Sequence, residues 1–314
     1  MAPKAKAIDK IHAALFYILP LNFCDENKVI KVPRRTYLEI ASLLSWYSVG
    51  LKLGNSFVHS IYKSAGWGNL DSLQEASLSC KRDIGWWRIL SVASMRDPWL
   101  LSTDISSLRR NTLPDFYMAT DASTSIGGGG WLGSSADDSS AFLEASIRWS
   151  DCEKVAFENF ALNHGGKPVD INVLEFFTAM YMIMLWGPQL KGKIIFLQCD
   201  NTAAVSWLLK FRASNKSPIG ESLVQIFSLF CIAFDITLIP SFLKGILNVK
   251  ADDLSRYRVP IYFKDSAGLV DIKDVTWWEG QSREIVCRNL LLASVGMPWS
   301  VYSQQILQLL RALQ

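Results

Sequence analysis

Four acidic residues lie at the ends of predicted secondary-structure elements: Asp121, Glu175, Asp200 and Asp252. Asp121 ends the strand-like stretch FYMATD, and Asp200 ends the apolar stretch IIFLQCD. Considered singly, each acid has an ordinary structural explanation as a turn residue, an N-cap or a first-turn acid that the helix dipole favours. Considered together, they offer the oxygen ligands that suit Mg²⁺ or Mn²⁺.

Several carboxylates in one place repel each other unless a cation joins them. Ligands of an open α/β sheet collect at the carboxyl ends of adjacent parallel strands, where we expect Asp121 and Asp200. Glu175 is expected to project from a helix on the same sheet, beside the small residues Thr178 and Ala179. Two divalent ions about 3.5–4 Å apart would activate a water and stabilise the leaving oxygen in phosphodiester cleavage.

The elements that position these acids predict an α/β domain over residues 114–258. The predicted strands and helices are, in order, strands at 116–123, around Trp131 and at 141–149, a helix at 171–186 with Asn172 as its N-cap, a strand at 193–200, helices at 201–211 and 219–233, a strand at 235–242, and a helix that begins near 249. The glycine-rich stretch IGGGG is interpreted as a turn. This order is typical of helices packed on a mixed sheet.

The rest of the chain is predicted to form three further regions. Residues 1–35 are interpreted as an irregular lead-in, and residues 36–113 as a small helical subdomain that precedes the α/β domain. Helical periodicity runs from Tyr37 to about Ser64 and again over residues 72–93. Residues 259–314 are predicted to be a partly helical tail, to which the sequence assigns no role.

Net charge, cysteine spacing and apolar stretches indicate which partners and which metal sites are expected for this chain. The net charge of +3 permits a nucleic-acid partner without requiring one. The six cysteines include no CxxC pair, so they are interpreted as reduced core residues of an intracellular protein, cytoplasmic or nuclear, and not as zinc ligands. The apolar stretches at 176–190 and 222–243 are too short or too interrupted to span a bilayer, so no membrane partner is expected.

Four motifs, in the order TDAS, INVLE, CDNTAAV and LNVKADDLSR, resemble the ribonuclease H domain of retrotransposon reverse transcriptases. The DIRS-type elements are most similar, with gypsy-type elements next, and the resemblance covers about Pro114 to Arg256. It implies a ribonuclease H-like fold with two Mg²⁺ ions, or Mn²⁺, and cleavage of the RNA strand of an RNA–DNA hybrid. The catalytic and metal-binding acids that it implies are Asp121, Glu175, Asp200 and Asp252. The ADxLSR frame favours Asp252 over Asp253.

The helical region also resembles part of this family, because KRDIGWW is similar to the thumb-to-connection stretch before such a ribonuclease H domain. The YxDD motif of a polymerase palm is missing. The resemblance therefore implies a fragment of a polyprotein, with its polymerase part as a partner besides the hybrid. The family often carries a histidine near a Pro-Gly before the last acid, but here PSFLKG has Phe242 and Lys244.

Three functions stay open at this point. The first is a phosphodiester hydrolase of the ribonuclease H type. The second is a catalytically degenerate, domesticated module of the same fold that binds nucleic acid or protein, which the missing palm and histidine favour. The third is another nuclease of this fold, such as a transposase or an exonuclease, against which ADDLSR and KRDIGWW argue.

Contacts with the substrate are expected to flank the acids. An RNA–DNA hybrid is recognised by its shape, phosphates and 2′-hydroxyl groups. The residues expected to contact sugar or phosphate are Ser123, Asn201, Thr202, Lys210, Arg212, Lys244 and Arg256. Trp131 and Trp149 are expected in the core and not as stacking platforms.

Overall fold

The structure is a computed structural model, and it describes these residues: 5–50, 54–96, 113–163, 165–214, 217–256, 264–265 and 268–269. The chain divides into two compact units, residues 1–112 and 113–314. The second unit begins at Leu113, one position before the predicted start of the α/β domain. The predicted tail at 259–314 lies outside the described residues, apart from two short strands.

The first unit is mainly helical. Its elements are helices α1 (Ala5–Ala13), α2 (Arg34–Gly50), α3 (His59–Ala65) and α4 (Leu78–Arg96), and the antiparallel strands β1 (Lys31–Pro33) and β2 (Leu73–Glu75). The prediction of an irregular lead-in over residues 1–35 is wrong, because α1 and two short helical turns lie there. Ile8, Ile11 and Leu15 recur at helical spacing and are buried, which is the pattern that the sequence analysis missed.

The KRDIGWW motif packs α4 inside this unit. Lys81 is buried, and its Nζ donates hydrogen bonds to the backbone carbonyl groups of Asp25, at 2.8 Å, and of Lys28. The indole Nε1 of Trp87 donates to the carbonyl oxygen of Phe57 at 2.9 Å. A buried ammonium group needs such partners, because desolvation without them is costly. The motif therefore fixes α4 against segments that lie far away in the sequence.

The second unit contains a five-stranded mixed sheet flanked by helices, so the predicted α/β class is confirmed. Its elements are β3 (Phe116–Ala122), β4 (Gly127–Gly133), β5 (Ala141–Arg148), α5 (Asp151–Asn163), α6 (Ile171–Leu185), α7 (Gly187–Leu190), β6 (Ile194–Cys199), α8 (Thr202–Lys210), α9 (Pro218–Ala233), β7 (Thr237–Phe242), α10 (Val249–Ser255), β8 (Lys264–Asp265) and β9 (Gly268–Leu269). The strand order is β5-β4-β3-β6-β7. The pairs β5–β4 and β4–β3 are antiparallel, whereas β3–β6 and β6–β7 are parallel.

The parallel strands end at one edge of this sheet. Thr120 on β3 pairs with Cys199 on β6, and Cys199 pairs with Phe242 on β7. Residues that follow these positions therefore leave the sheet next to each other. This edge is the crevice where open α/β sheets bind their ligands.

The glycine-rich stretch lies inside strand β4, so its interpretation as a turn is wrong. Successive side chains of a strand point to opposite faces, and helices approach β4 closely from both. A Cβ atom on Gly128 would lie 2.3 Å from Thr178 Oγ1 on α6, and one on Gly129 would lie 2.3 Å from the backbone nitrogen of Ser255 on α10. Only glycine leaves room for both helices.

Helix α10 packs on the sheet through a small apolar cluster. The buried members of this cluster are Ala119, Trp131, Ala251 and Leu254. Trp149 is buried as well, so both tryptophans lie in the core as predicted. Ala251 and Leu254 face the sheet, and of the two acids between them Asp252 interacts with Asp121 and Asp200 at the same edge. Among the described residues, no helix has the length and apolar character needed to cross a bilayer.

Candidate metal centre

Asp121 and Asp200 lie side by side at the ends of two parallel strands. Asp121 belongs to β3 and is 5% exposed, while Asp200 directly follows β6 and is half-buried. The pairing of Thr120 with Cys199 brings the two following acids into neighbouring positions. The hydroxyl group of Ser255 on α10 donates a hydrogen bond of 2.5 Å to Asp121 Oδ2.

Glu175 projects from α6 towards the same edge and is 4% exposed. Its Oε2 accepts a hydrogen bond of 3.6 Å from the Cys199 thiol, and the backbone N–H of Ala122 also donates to the carboxyl group. The N-cap of α6 is Asp170, which accepts the N–H of Asn172 at 3.0 Å, so the prediction of Asn172 as the cap is wrong. Both residue types are favoured as N-caps, and Asp170 is the cap because it directly precedes Ile171, the first residue of α6.

Asn201, and not Asp200, caps helix α8. Its Oδ1 accepts the N–H groups of Ala203, at 3.0 Å, and of Ala204, at 2.9 Å. The alternative explanation of Asp200 as an N-cap is therefore wrong. The carboxyl group of Asp200 instead lies among the other acids.

Asp252 lies on α10 and is half-buried. Its Oδ1 accepts a hydrogen bond of 2.6 Å from Arg256 Nε, one helical turn later. Asn248 precedes α10 and is buried, and its Nδ2 donates to the carbonyl oxygen of Thr120 at 2.9 Å. This bond ties the start of α10 to the strand that carries Asp121.

The four carboxyl groups influence each other electrostatically. Burial, together with the charges of Asp200 and Asp252, raises the pKa of Asp121 to about 6. Burial, with the charges of Asp121 and Asp200, raises the pKa of Glu175 to about 9. Burial and the charge of Asp252 also raise the pKa of Asp200. The structure thus places Glu175 and Asp252 each within electrostatic reach of both Asp121 and Asp200.

Three side chains at this edge could hold a metal ion. One ligand atom from each of Glu175, Cys199 and Asp200 lies within 4.8 Å of the others. Cys199 was missed as a site residue, because it was interpreted as one of several scattered core cysteines. Its position directly before Asp200, at the end of a buried strand, is the signal that could have identified it.

The predicted nucleic-acid contacts differ in accessibility. The exposed ones are Thr202, Lys210, Arg212 and Lys244. Asn201 uses its Nδ2 to donate to Asn172 Oδ1 at 2.9 Å, and Ser123 is 8% exposed. Arg256 is exposed but forms an ion pair with Asp252. The four exposed side chains are therefore the best placed to meet a partner.

Neither family models nor curated proteins give a relative for this chain. No protein-family model matches it. No curated protein matches it significantly. A functional proposal therefore depends on the residues of this chain and on their geometry.

Proposed function

We propose that this protein is a metal-dependent endonuclease of the ribonuclease H type, which cleaves the RNA strand of RNA–DNA hybrids. The observation that carries the proposal is the convergence of four carboxyl groups at the carboxyl ends of parallel strands β3 and β6. The order β5-β4-β3-β6-β7, with antiparallel and parallel pairs, is compatible with a ribonuclease H-like fold. The resemblance of the four sequence motifs supports the same activity.

The donor set fits divalent cations. Carboxyl groups that raise each other's pKa are costly to ionise together, and a bound cation removes that cost. The residues proposed to hold two Mg²⁺ ions, or Mn²⁺, are Asp121, Glu175, Asp200 and Asp252. When bound, such ions supply an activated water and stabilise the charge that develops on the phosphate. The thiol of Cys199 is a softer group and holds Glu175 in place through its hydrogen bond.

The surrounding side chains support this role. Ser255 and Arg256 contact Asp121 and Asp252, and so orient two of the acids. The positive charge of Arg256 also offsets part of the negative charge of the cluster. Exposed basic residues such as Lys210 and Lys244 are proposed to bind backbone phosphates, which position a nucleic acid without reading its sequence.

We also propose that the chain derives from a retrotransposon reverse transcriptase. Its first unit would then correspond to the thumb and connection region, and the polymerase part of the same polyprotein would be a partner. The support is the KRDIGWW motif and the order of the later motifs. A reading frame upstream that encodes a palm with YxDD tests this origin, and an unrelated upstream frame would contradict it.

A second candidate function is binding without catalysis, by a domesticated module of this fold. The observation that favours it is the segment between β7 and α10, residues 243–248, which contains no histidine. A histidine on this loop would serve as an auxiliary proton shuttle. The segment carries Lys244 and no histidine.

Cleavage of a labelled hybrid distinguishes the two candidates. We expect Mg²⁺-dependent cleavage by the wild-type protein and a loss of at least 100-fold in Asp200→Asn, because one ligand of the charge-stabilising site is removed. Asp253→Asn is the matched control, since Asp253 is an acid on the same helix outside the proposed set, and it should cleave at the wild-type rate. No cleavage by the wild-type protein, with hybrid binding retained, would favour the binding module.

A further inference from the structure

An exposed apolar segment lies beside the acidic cluster. Residues 242–249, which we call the apolar loop, run from the end of β7 to the start of α10. Within them Phe242, Ile246, Leu247 and Val249 are 48%, 83%, 65% and 55% exposed. Single exposed apolar residues are ordinary on a protein surface, but a group of them indicates a contact site.

One backbone and one side-chain hydrogen bond fix the apolar loop to the strands that end in the acids. Near its start, the N–H of Leu243 donates to the carbonyl oxygen of Cys199 at 3.0 Å. Near its end, Asn248 Nδ2 donates to the carbonyl oxygen of Thr120 at 2.9 Å. Between these points, the N–H of Leu247 donates to the carbonyl oxygen of Lys244 at 2.8 Å, which closes a tight turn. The backbone that carries the exposed side chains is therefore held in a defined place.

The turn of the apolar loop contacts a carboxyl group of the cluster. A Cβ atom on Gly245 would lie 2.9 Å from Asp200 Oδ2, so the backbone passes directly over this carboxyl group. Ile246 and Leu247 follow at once in the sequence and point into solvent. A molecule bound across the acidic cluster therefore has these two side chains beside it.

Once the proposed cations neutralise the acids beside the apolar loop, the remaining charges near it are basic and favour a polyanion as the occupant. Lys244 lies in the loop itself and is exposed. Arg256 lies at the end of α10, is exposed, and interacts with Asp121, Asp200 and Asp252. A chain of phosphates beside bases and sugars offers both the negative charge and the apolar surface that these residues match.

We infer that the apolar loop is a substrate-binding surface, on which Ile246 and Leu247 pack into the minor groove of the RNA–DNA hybrid while Lys244 binds a phosphate. This inference rests on the proposed function. An A-form duplex has a wide and shallow minor groove that displays sugars and base edges, and apolar side chains are known to pack into minor grooves. Because these side chains touch no reacting atom, they affect binding and KM, and not kcat.

The test measures binding and cleavage separately. Binding of a fluorescent RNA–DNA hybrid is followed by anisotropy in Ca²⁺, a divalent ion that binds carboxylate oxygens and so can neutralise the acidic cluster. The proteins are the wild type, the double variant Ile246→Ala/Leu247→Ala, and the control Leu162→Ala, which removes a similarly exposed side chain from α5. We expect binding by the double variant to weaken about tenfold or more, since the contact area of two side chains is lost. KM should rise to the same extent, with kcat unchanged.

The outcomes separate this inference from the proposed function. If the wild-type protein binds the hybrid without cleaving it, the proposed activity is wrong, while weaker binding by the double variant still supports the loop. Equal binding and KM in the wild type and the double variant would overturn the inference even if cleavage occurs. It would also be overturned if the wild type bound no hybrid, or if sedimentation showed that the double variant disrupts a dimer, since the loop would then bind a second copy.

Discussion

The buried carboxyl group of Asp121 makes the stability of the metal-free protein depend on pH. Burial and the charges of Asp200 and Asp252 raise its pKa from 3.8 to about 6. Between about pH 4 and 6, the folded state keeps a proton that the unfolded state has released. The free energy of unfolding therefore falls as the pH rises through this window, and the full loss is present above pH 6.

The size of this effect follows from the pKa. At about 1.4 kcal/mol for each pKa unit, the change from 3.8 to about 6 corresponds to a loss of about 3 kcal/mol. Asp121 is 5% exposed, so solvent screens it little. Glu175, whose pKa is raised to about 9 by burial and by neighbouring charges, extends the loss of stability to higher pH.

Urea unfolding in EDTA at pH 4 to 7 measures the effect. Asp121→Asn keeps an oxygen that can accept the Ser255 hydrogen bond, but it cannot ionise. We expect this variant to gain about 3 kcal/mol relative to the wild type between pH 4 and 7, because only the wild type loses stability at Asp121. Glu158→Gln, which changes an exposed acid on α5, should follow the wild type. Parallel curves for Asp121→Asn and the wild type would refute the reasoning.

Three further predictions concern metal binding, packing and capping. At pH 7.5, Mg²⁺ at 100 times its Kd for the wild type should stabilise the wild type by about 2.7 kcal/mol, as measured by thermal shift. The same Mg²⁺ concentration should stabilise Asp200→Asn by much less, because this variant lacks one of the proposed ligands. Gly129→Ala should cost about 1–3 kcal/mol or more in urea unfolding, because its Cβ would lie 2.3 Å from the backbone of α10. Gly85→Ala, where the nearest atom is 3.7 Å away in a helix, should instead stabilise by about 0.5–1 kcal/mol. Asn201→Ala should cost about 1 kcal/mol through the lost cap of α8, and unchanged stability would contradict that role.

The sheet and the acids could be predicted because the relevant signal is local. Apolar runs such as Ile194–Cys199 are typical of buried strands, and a charge directly after such a run marks the strand end. Helices between the later strands imply parallel pairing, which places Asp121 beside Asp200. Glu175 lies in the second turn of α6 and not in the first, where the sequence analysis expected it, but its carboxyl group still faces Asp121 and Asp200.

The features that were missed depend on partners far away in the sequence. The glycines of β4 look like a turn until α6 and α10 are seen packed on its two faces. Ser255 donates a hydrogen bond to Asp121, which lies 134 residues earlier in the sequence, and no local sequence pattern predicts such a contact. Cys199 resembles any buried cysteine until Glu175 is found beside its thiol. The four acids could thus be predicted from residue type and spacing. The residues that contact them could be identified only from the tertiary structure.

Cleavage of a hybrid with a different label on each strand tests the central claim most directly. In the presence of Mg²⁺, the account predicts that the wild-type protein cuts the RNA strand and leaves the DNA strand intact. Removal of the metal with EDTA, or the change Asp121→Asn, should abolish this cleavage. Cleavage of both strands, cleavage without metal, or equal cleavage by Asp121→Asn would contradict the account.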